Sequence, residues 1–185
     1  MSNGSVVANE AQTKSYEHEQ MTLNRELEDC LRNVHGIDQH TTDVILSEFR
    51  EKMQDAESQL ILKQFLTKSK GLSLNGKTAT TQSLPAEDAI LQAPDSHEVL
   101  FENGAVRLLW GVSKPGDQEP SHLHQWPSLM LITQGGKFAI DYVDGTKEED
   151  FWPKGVYELP SDSQPAAYTN TGTTEFRAFR FEIKP

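Results

Sequence analysis

The hydrophobic rhythm of the chain changes once, near Leu72. Before that point apolar residues return at steps of three and four. Leu23, Leu27, Cys30, Leu31 and Val34 form one such series; Ile45, Phe49, Met53, Ala56 and Leu60 form a longer one. That spacing stacks side chains on one face of a helix, so it predicts two amphipathic helices within residues 14–70. This stretch has no proline and a single glycine, Gly36, which with His35 marks the expected end of the first helix. Asp38 or Thr41 is the expected N-cap of the second. Such an arm serves either as a dimerisation or partner-binding element or as packing for the domain that follows. Residues 1–13 show no periodicity and are expected to be disordered.

Residues 71–94 read as a connector, with turn signals at Asn75-Gly76 and Pro85. From residue 95 to 185 the period falls to two. Val106, Leu108, Trp110 and Val112 share one strand face, as do Phe138, Ile140 and Tyr142. Asn103-Gly104, Gly135-Gly136, Asp144-Gly145 and Asn170-Thr171-Gly172 punctuate the strands. Short alternating runs at this spacing predict a sandwich or barrel, with room for about eight strands. Eight strands is also the size at which a barrel fills with side chains or holds one small ligand.

Composition narrows the partners. The 185 residues suffice for one ordinary domain and an appendage. An apolar share of 36% and a mean hydropathy of -0.59 leave part of the chain polar and exposed. The net charge of -11 repels a phosphate backbone and an anionic membrane surface, and no basic cluster offsets it, so neither partner is expected. The lone cysteine, Cys30, cannot form an internal disulfide and suits a reducing compartment. The first twenty residues lack a basic segment followed by an apolar core, and no apolar run is long enough to span a bilayer. A cytoplasmic location is the expectation.

Candidate chemistry concentrates in EPSHLHQWPSLMLITQGG, residues 119–136. In a strand, His122 and His124 project to the same face, bringing two imidazoles to one point. Imidazole suits Zn, Fe, Cu or Ni, and an added carboxylate admits Mn. A catalytic site needs about three protein ligands and an open position.

The setting of this pair carries a resemblance. Ser96 to Asn103 looks like an opening strand; Pro115-Gly116 precedes the His-X-His at the right distance; Gly135 or Gly136 closes the motif. Asp144-Gly145 falls at a central hairpin, and Gly155, Pro160, Asn170 and Gly172 fit a second motif. Over residues 97–184 the chain resembles the cupins, in particular the small single-domain kind. The resemblance implies a mainly β fold, a jelly-roll β-barrel behind the N-terminal helical arm, with a homodimeric state and a small-molecule site at the barrel's centre. It also exposes departures. Ser128 and Leu129 stand where the family's glutamate ligand is expected, and Ala166 stands at the third histidine. Gln164 lies nearest that vacant place, so the implied metal set is His122, His124 and Gln164. His97, opening the first strand, is a substitute ligand only in a minority reading, an edge or surface position being the simpler one. His18, His35 and His40 are expected to face solvent.

Two functions follow. In the first, the barrel is an enzyme of the isomerase, cyclase, lyase or dioxygenase class acting on a small organic metabolite. His122 and His124 either hold one weakly bound divalent metal (Fe, Mn, Zn, Ni or Cu) or, metal-free, work as a general acid-base pair. Tyr168 and Arg180 join them as catalytic candidates, and Trp126, Ser128, Leu129, Arg107 and Gln164 as substrate contacts. Tyr142 and Tyr157 are further helpers. Arg180 alternates with Phe179 and Phe181: it enters the cavity if those aromatics pack in a hydrophobic layer, whereas the simpler expectation sets it on the solvent face with Glu182. Trp126 either stacks on a flat substrate or plugs the barrel mouth; Trp110 and Trp152 are read as core or hairpin packing. The second function is a non-catalytic ligand-binding or assembly protein whose arm carries the partner contact. Glycine-rich phosphate loops, Cys-X-X-Cys and Gly-X-Ser-X-Gly are absent from the sequence, which argues against nucleotide-driven and serine-hydrolase chemistry.

Overall fold

A computed structural model describes residue 18 and residues 21–34, 36–52, 56–71, 83–104 and 106–185. The chain divides into two compact units, Met1–Ser73 and Leu74–Pro185. The expected disorder of residues 1–13, the helix start near Lys14, His35 and the Asn75-Gly76 turn lie outside the described residues.

In the first unit, helix α1 (21–29) runs into a π-helical turn at Cys30–Val34. Leu23, Leu27, Cys30 and Leu31 are buried, as their spacing predicts. Gly36 then takes φ +70°, its N–H donating to the Arg32 carbonyl at 3.1 Å while Ile37 donates to that of Leu31 at 2.9 Å. This left-handed closure favours glycine. Of the two expected caps, Asp38 is the one used. Its carboxylate accepts from the Thr41 N–H at 3.0 Å and from the Thr41 hydroxyl at 2.8 Å, which holds its pKa below the ordinary value.

Helices α2 (Gln39–Lys52) and α3 (Ala56–Gly71) pack on the π turn. Ile45 is buried as expected, but Leu60 is 57% exposed. Ile61, Leu62, Phe65 and Leu66 form the buried face of α3 instead, a denser stripe at i, i+1, i+4 and i+5. Met53 and the side chains of Phe49 and Ala56 lie outside the described residues.

The second unit holds a short helix, α4 (Ala89–Gln92), and nine strands rather than about eight. These are β1 (His97–Glu102), β2 (Val106–Ser113), β3 (Gln118–His122), β4 (Ser128–Gln134), β5 (Gly136–Tyr142), β6 (Lys147–Trp152), β7 (Gly155–Leu159), β8 (Ala166–Asn170) and β9 (Phe176–Ile183). They form a five-stranded sheet in the order β1-β2-β9-β4-β7 and a four-stranded sheet in the order β3-β8-β5-β6, with every pairing antiparallel. This is the expected jelly roll, and β1 and β3 each stand at the end of their sheet.

Turn chemistry sets the hairpins. Asn103 accepts from the Val106 N–H at 2.9 Å between β1 and β2, and Asp144 accepts from that of Thr146 at 2.8 Å beside Gly145, whose φ is +89°. Gly135 is forced by proximity, since a Cβ there would lie 2.7 Å from the Trp152 carbonyl. Residues 87–89, expected as connector, are bonded into the barrel unit: Leu123 donates to Glu87 at 2.8 Å and Ala89 to Leu123 at 3.0 Å.

Alternation sorts β2, β4 and β9. Leu108, Trp110, Leu129, Leu131, Phe179 and Phe181 lie in register on one face of the five-stranded sheet. Leu109, Gly111, Met130, Ala178 and Arg180 lie on the other, toward Phe138 and Tyr168 of the four-stranded sheet. A cavity with about 610 Å³ of empty space, mouth included, opens between the sheets.

Candidate metal centre in the barrel

Three histidines meet in this cavity: His97 at the start of β1, His122 at the end of β3, and His124 two residues on. Their ring centroids lie 4.9, 5.1 and 5.5 Å apart, and one ligating nitrogen from each falls within 4.8 Å of the others. Local structure explains the convergence. His97 pairs with Gly111, which presents no side chain, and His122 pairs with Ala166, which presents a small one. The backbone of His124 is clamped by Asp162, whose carboxylate accepts from its N–H at 2.7 Å and whose N–H reaches its carbonyl at 3.0 Å.

Each imidazole has its Nδ1 committed. His97 Nδ1 lies 3.1 Å from the Ala93 carbonyl, His122 Nδ1 lies 2.8 Å from that of Pro120, and His124 Nδ1 lies 2.7 Å from Glu182 Oε1. A carbonyl can only accept, and an ionised carboxylate likewise, so each Nδ1 must carry the proton and each Nε2 keeps its lone pair. Burial drives all three pKa values down: His97 to about 3, with His122 adding to the effect, His124 well below the ordinary value, and His122 less strongly. Three neutral imidazoles with a ring nitrogen of each within 4.8 Å of the others suit a divalent transition metal. The fixed Nδ1 partners are the outer bonds that orient such ligands.

The anchor of His124 extends into a buried chain of charge. Glu182 Oε2 accepts from Arg107 Nε, while Arg107 Nη1 and Nη2 grip Asp88 at 2.9 and 3.0 Å. Asp88, Arg107 and Glu182 are all fully buried. Burial opposes the charge on Arg107, yet the hydrogen bonds to Glu182 and Asp88 together raise its pKa. Asp88 also caps α4, accepting from the Ile90 N–H at 3.1 Å.

The cavity wall holds other titratable groups. Glu119 Oε2 is 3.9 Å from His122 Nε2, and burial, aided by Asp117, pushes its pKa up to about 7. Tyr168, centred 5.2 Å from the His122 ring, is raised by burial and stays a phenol. Arg180 lines the cavity with its side chain 11% exposed, and burial pulls its pKa down. The aromatic lining comes from Phe138, Trp152 and Phe176.

Several expected contacts are corrected. His97, read first as an edge or surface residue, completes the cluster in place of Gln164. The Gln164 amide instead donates to Asp144 at 3.2 Å on the exposed hairpin, outside the cavity lining. Arg107 touches the charge chain and not the cavity. Trp126 is buried beneath Arg107 and Lys184, their cations 4.8 and 5.0 Å from its ring centroid, so it is packing and not a stacking platform. Leu129 faces away, opposite Phe181, and Ser128 is buried outside the cavity lining. Tyr142 and Tyr157 bond Glu148 and the Pro153 carbonyl at the surface. Arg180 and Glu182 both turn inward, not to solvent, and Trp152 lines the cavity.

Sequence reading missed Glu119, Asp88 and the anchoring role of Glu182. Glu182 had a signal: it stands between Phe181 and Ile183 with the parity of Arg180.

No family model matches the chain, and no curated protein matches it. Solved structures do. A cupin domain from Bordetella pertussis Tohama I is 21% identical, the match covering 48% of this chain and 92% of that one at a TM-score of 0.43. A Cupin 2 conserved barrel domain protein from Salinispora arenicola CNS-205 is 17% identical, covering 57% and 91% at 0.37. The polyketide cyclase RemF from Streptomyces resistomycificus is 14% identical, covering 57% and 81% at 0.38. The first two are cupin proteins by name, and each match covers about half of this chain.

Proposed function

We propose that the barrel is a small-molecule enzyme in which His97, His122 and His124 hold one divalent transition-metal ion facing the cavity. The observation that carries this reading is the meeting of three buried imidazoles, one ring nitrogen of each within 4.8 Å of the others. Three independent Nδ1 partners leave the three Nε2 lone pairs without a hydrogen bond among the described residues. A bound ion would supply Lewis acidity to a ligand oxygen. The same pattern disfavours the metal-free acid-base pair, because burial lowers the pKa of all three imidazoles, His97 and His124 most, and a neutral imidazole protonated at Nδ1 has no proton to give from Nε2.

The remaining groups divide the work. Glu119, with a pKa near neutrality, can take or return a proton beside His122. The Tyr168 phenol is a donor at any cellular pH. Phe138, Phe176 and Trp152 exclude water and hold an apolar substrate body. Together they support proton-transfer chemistry of the isomerase, lyase or cyclase kind over pure ligand storage, for which a proton carrier has no use.

Metal analysis of the purified protein, loaded in turn with Fe, Mn, Zn, Ni and Cu, tests the site. One equivalent of a bound metal is expected in the parent, and its loss in His97→Ala as well as in His122→Ala and His124→Ala. A parent that retains none of the five, or a His97→Ala protein that binds as the parent does, overturns the three-histidine centre.

A further inference from the structure

The unsatisfied groups in the cavity wall share one polarity. Among the described residues, the buried cavity-lining atoms without a hydrogen-bond partner include Arg180 Nε and Nη2 and Trp152 Nε1, and all three are donors. An arginine so placed is costly. A buried cation normally has a carboxylate or carbonyl at hydrogen-bond distance, because the loss of hydration must be offset. Among the described residues the one carboxylate within 4.0 Å of Arg180 is that of Glu182, whose Oε1 lies 4.0 Å from Arg180 Nε, too far for a hydrogen bond. That oxygen already accepts from His124, and its twin accepts from Arg107. Asp162, the other acidic group acting on Arg180, is taken by the His124 backbone.

Charge bookkeeping leads the same way. Arg107 and Arg180 stand against Asp88, Glu182 and Asp162, and three neutral imidazoles add nothing. A divalent ion on the histidines would turn that single negative charge into a single positive one, with Glu119 to offset it in part.

We propose that Arg180 binds the carboxylate of a small substrate whose apolar body lies against Phe138, Phe176 and Trp152 across the cavity. The guanidinium fork matches two carboxylate oxygens, and an arginine in a dry pocket distinguishes a carboxylate from its neutral amide. The inference deepens the metal-enzyme reading by naming the substrate class, and it rests on that reading only for the reacting end. Arg180 itself needs no ion to hold an anion.

The probes are benzoate and benzamide, titrated calorimetrically into metal-stripped and metal-loaded full-length protein, with Arg180→Met and Arg180→Lys in parallel. Benzoate is expected to bind the stripped parent about 10- to 100-fold tighter than benzamide, the span of one charge-assisted contact. Arg180→Met should erase that preference while melting no lower than the parent, since it removes an unpaired buried charge. Arg180→Lys should keep part of the preference. Equal affinity for the two probes, binding of neither, or a preference that survives in Arg180→Met overturns the proposal. So does a fall in melting temperature in Arg180→Met, which would reveal a structural partner. The metal reading fails independently, by the absence of metal in the loaded parent.

Discussion

Two sides of the same cavity hold their imidazoles in different ways. His97 and His122 lean on backbone carbonyls, those of Ala93 and Pro120, which come with the chain and carry no net charge. His124 leans on Glu182, which leans on Arg107, which leans on Asp88, a line of three fully buried charges reaching to the start of α4. The first arrangement is inexpensive and hard to mutate, because no side-chain substitution deletes a carbonyl. The second makes His124 a more basic ligand at the risk that any one member leaves its neighbours buried and unpaired. One site thus combines a tolerant half with a brittle half.

The strongest way to break this contrast is Arg107→Met. It leaves Asp88 and Glu182 as uncompensated buried carboxylates, so urea unfolding should show a loss of about 3–5 kcal/mol. A loss below about 1 kcal/mol would mean that the chain of charges does not support the barrel.

Glu182→Gln is milder than Arg107→Met, since its single amide oxygen can still accept from His124 or from Arg107, though not from both. Metal affinity should fall about 10- to 100-fold in competition titrations, with the fold retained by circular dichroism.

Acid acts on both halves. Below pH 6.5 the unfolded chain protonates its histidines, whereas the folded chain resists until about pH 3 at His97. The imidazole contribution to the stability of the metal-free protein should therefore fall as pH drops through this window, by up to about 1.4 kcal/mol per pH unit for each imidazole kept neutral. Burial also raises Glu119, to about 7, and Glu182, which act in the opposite sense, so the check is the difference between the parent and His97→Phe: melting profiles that run parallel from pH 6.5 to 4 would contradict the burial of His97. The smallest effect belongs to the tolerant half: Pro120→Ala keeps the carbonyl, so metal affinity should change less than about twofold, within about 0.5 kcal/mol.

What the sequence disclosed follows from the reach of its rules. Alternation located most strands and put Arg180 opposite Phe179, and two-residue spacing joined His122 to His124. These are local relations. His97 lies 25 positions before His122 in the sequence, and only the pairing of β1 with β2 opposite Gly111 brings it inward. Gln164 failed for the converse reason: counting residues from Pro160 could not show that its segment turns outward to Asp144. Glu182 was misjudged because a glutamate in a strand reads as surface unless a buried arginine is known to await it. The missing third histidine at Ala166 was legible, but its replacement by His97 stood only as the lesser of two readings.

The strand order gives the cluster a mechanical meaning as well. His97 belongs to β1, the last strand of one sheet, and His122 to β3, the last strand of the other. No ladder of hydrogen bonds joins these two margins, and among the described residues the isolated bridge of Asp88 with Leu123 is the one backbone pairing assigned outside the named strands. An ion held by His97 and His122 would act as a rivet across an open seam, fastening two sheet margins that the backbone leaves apart. Binding it would slow the fraying of β1 in hydrogen exchange, so the residues that prepare the chemistry would also decide how firmly the barrel stays shut.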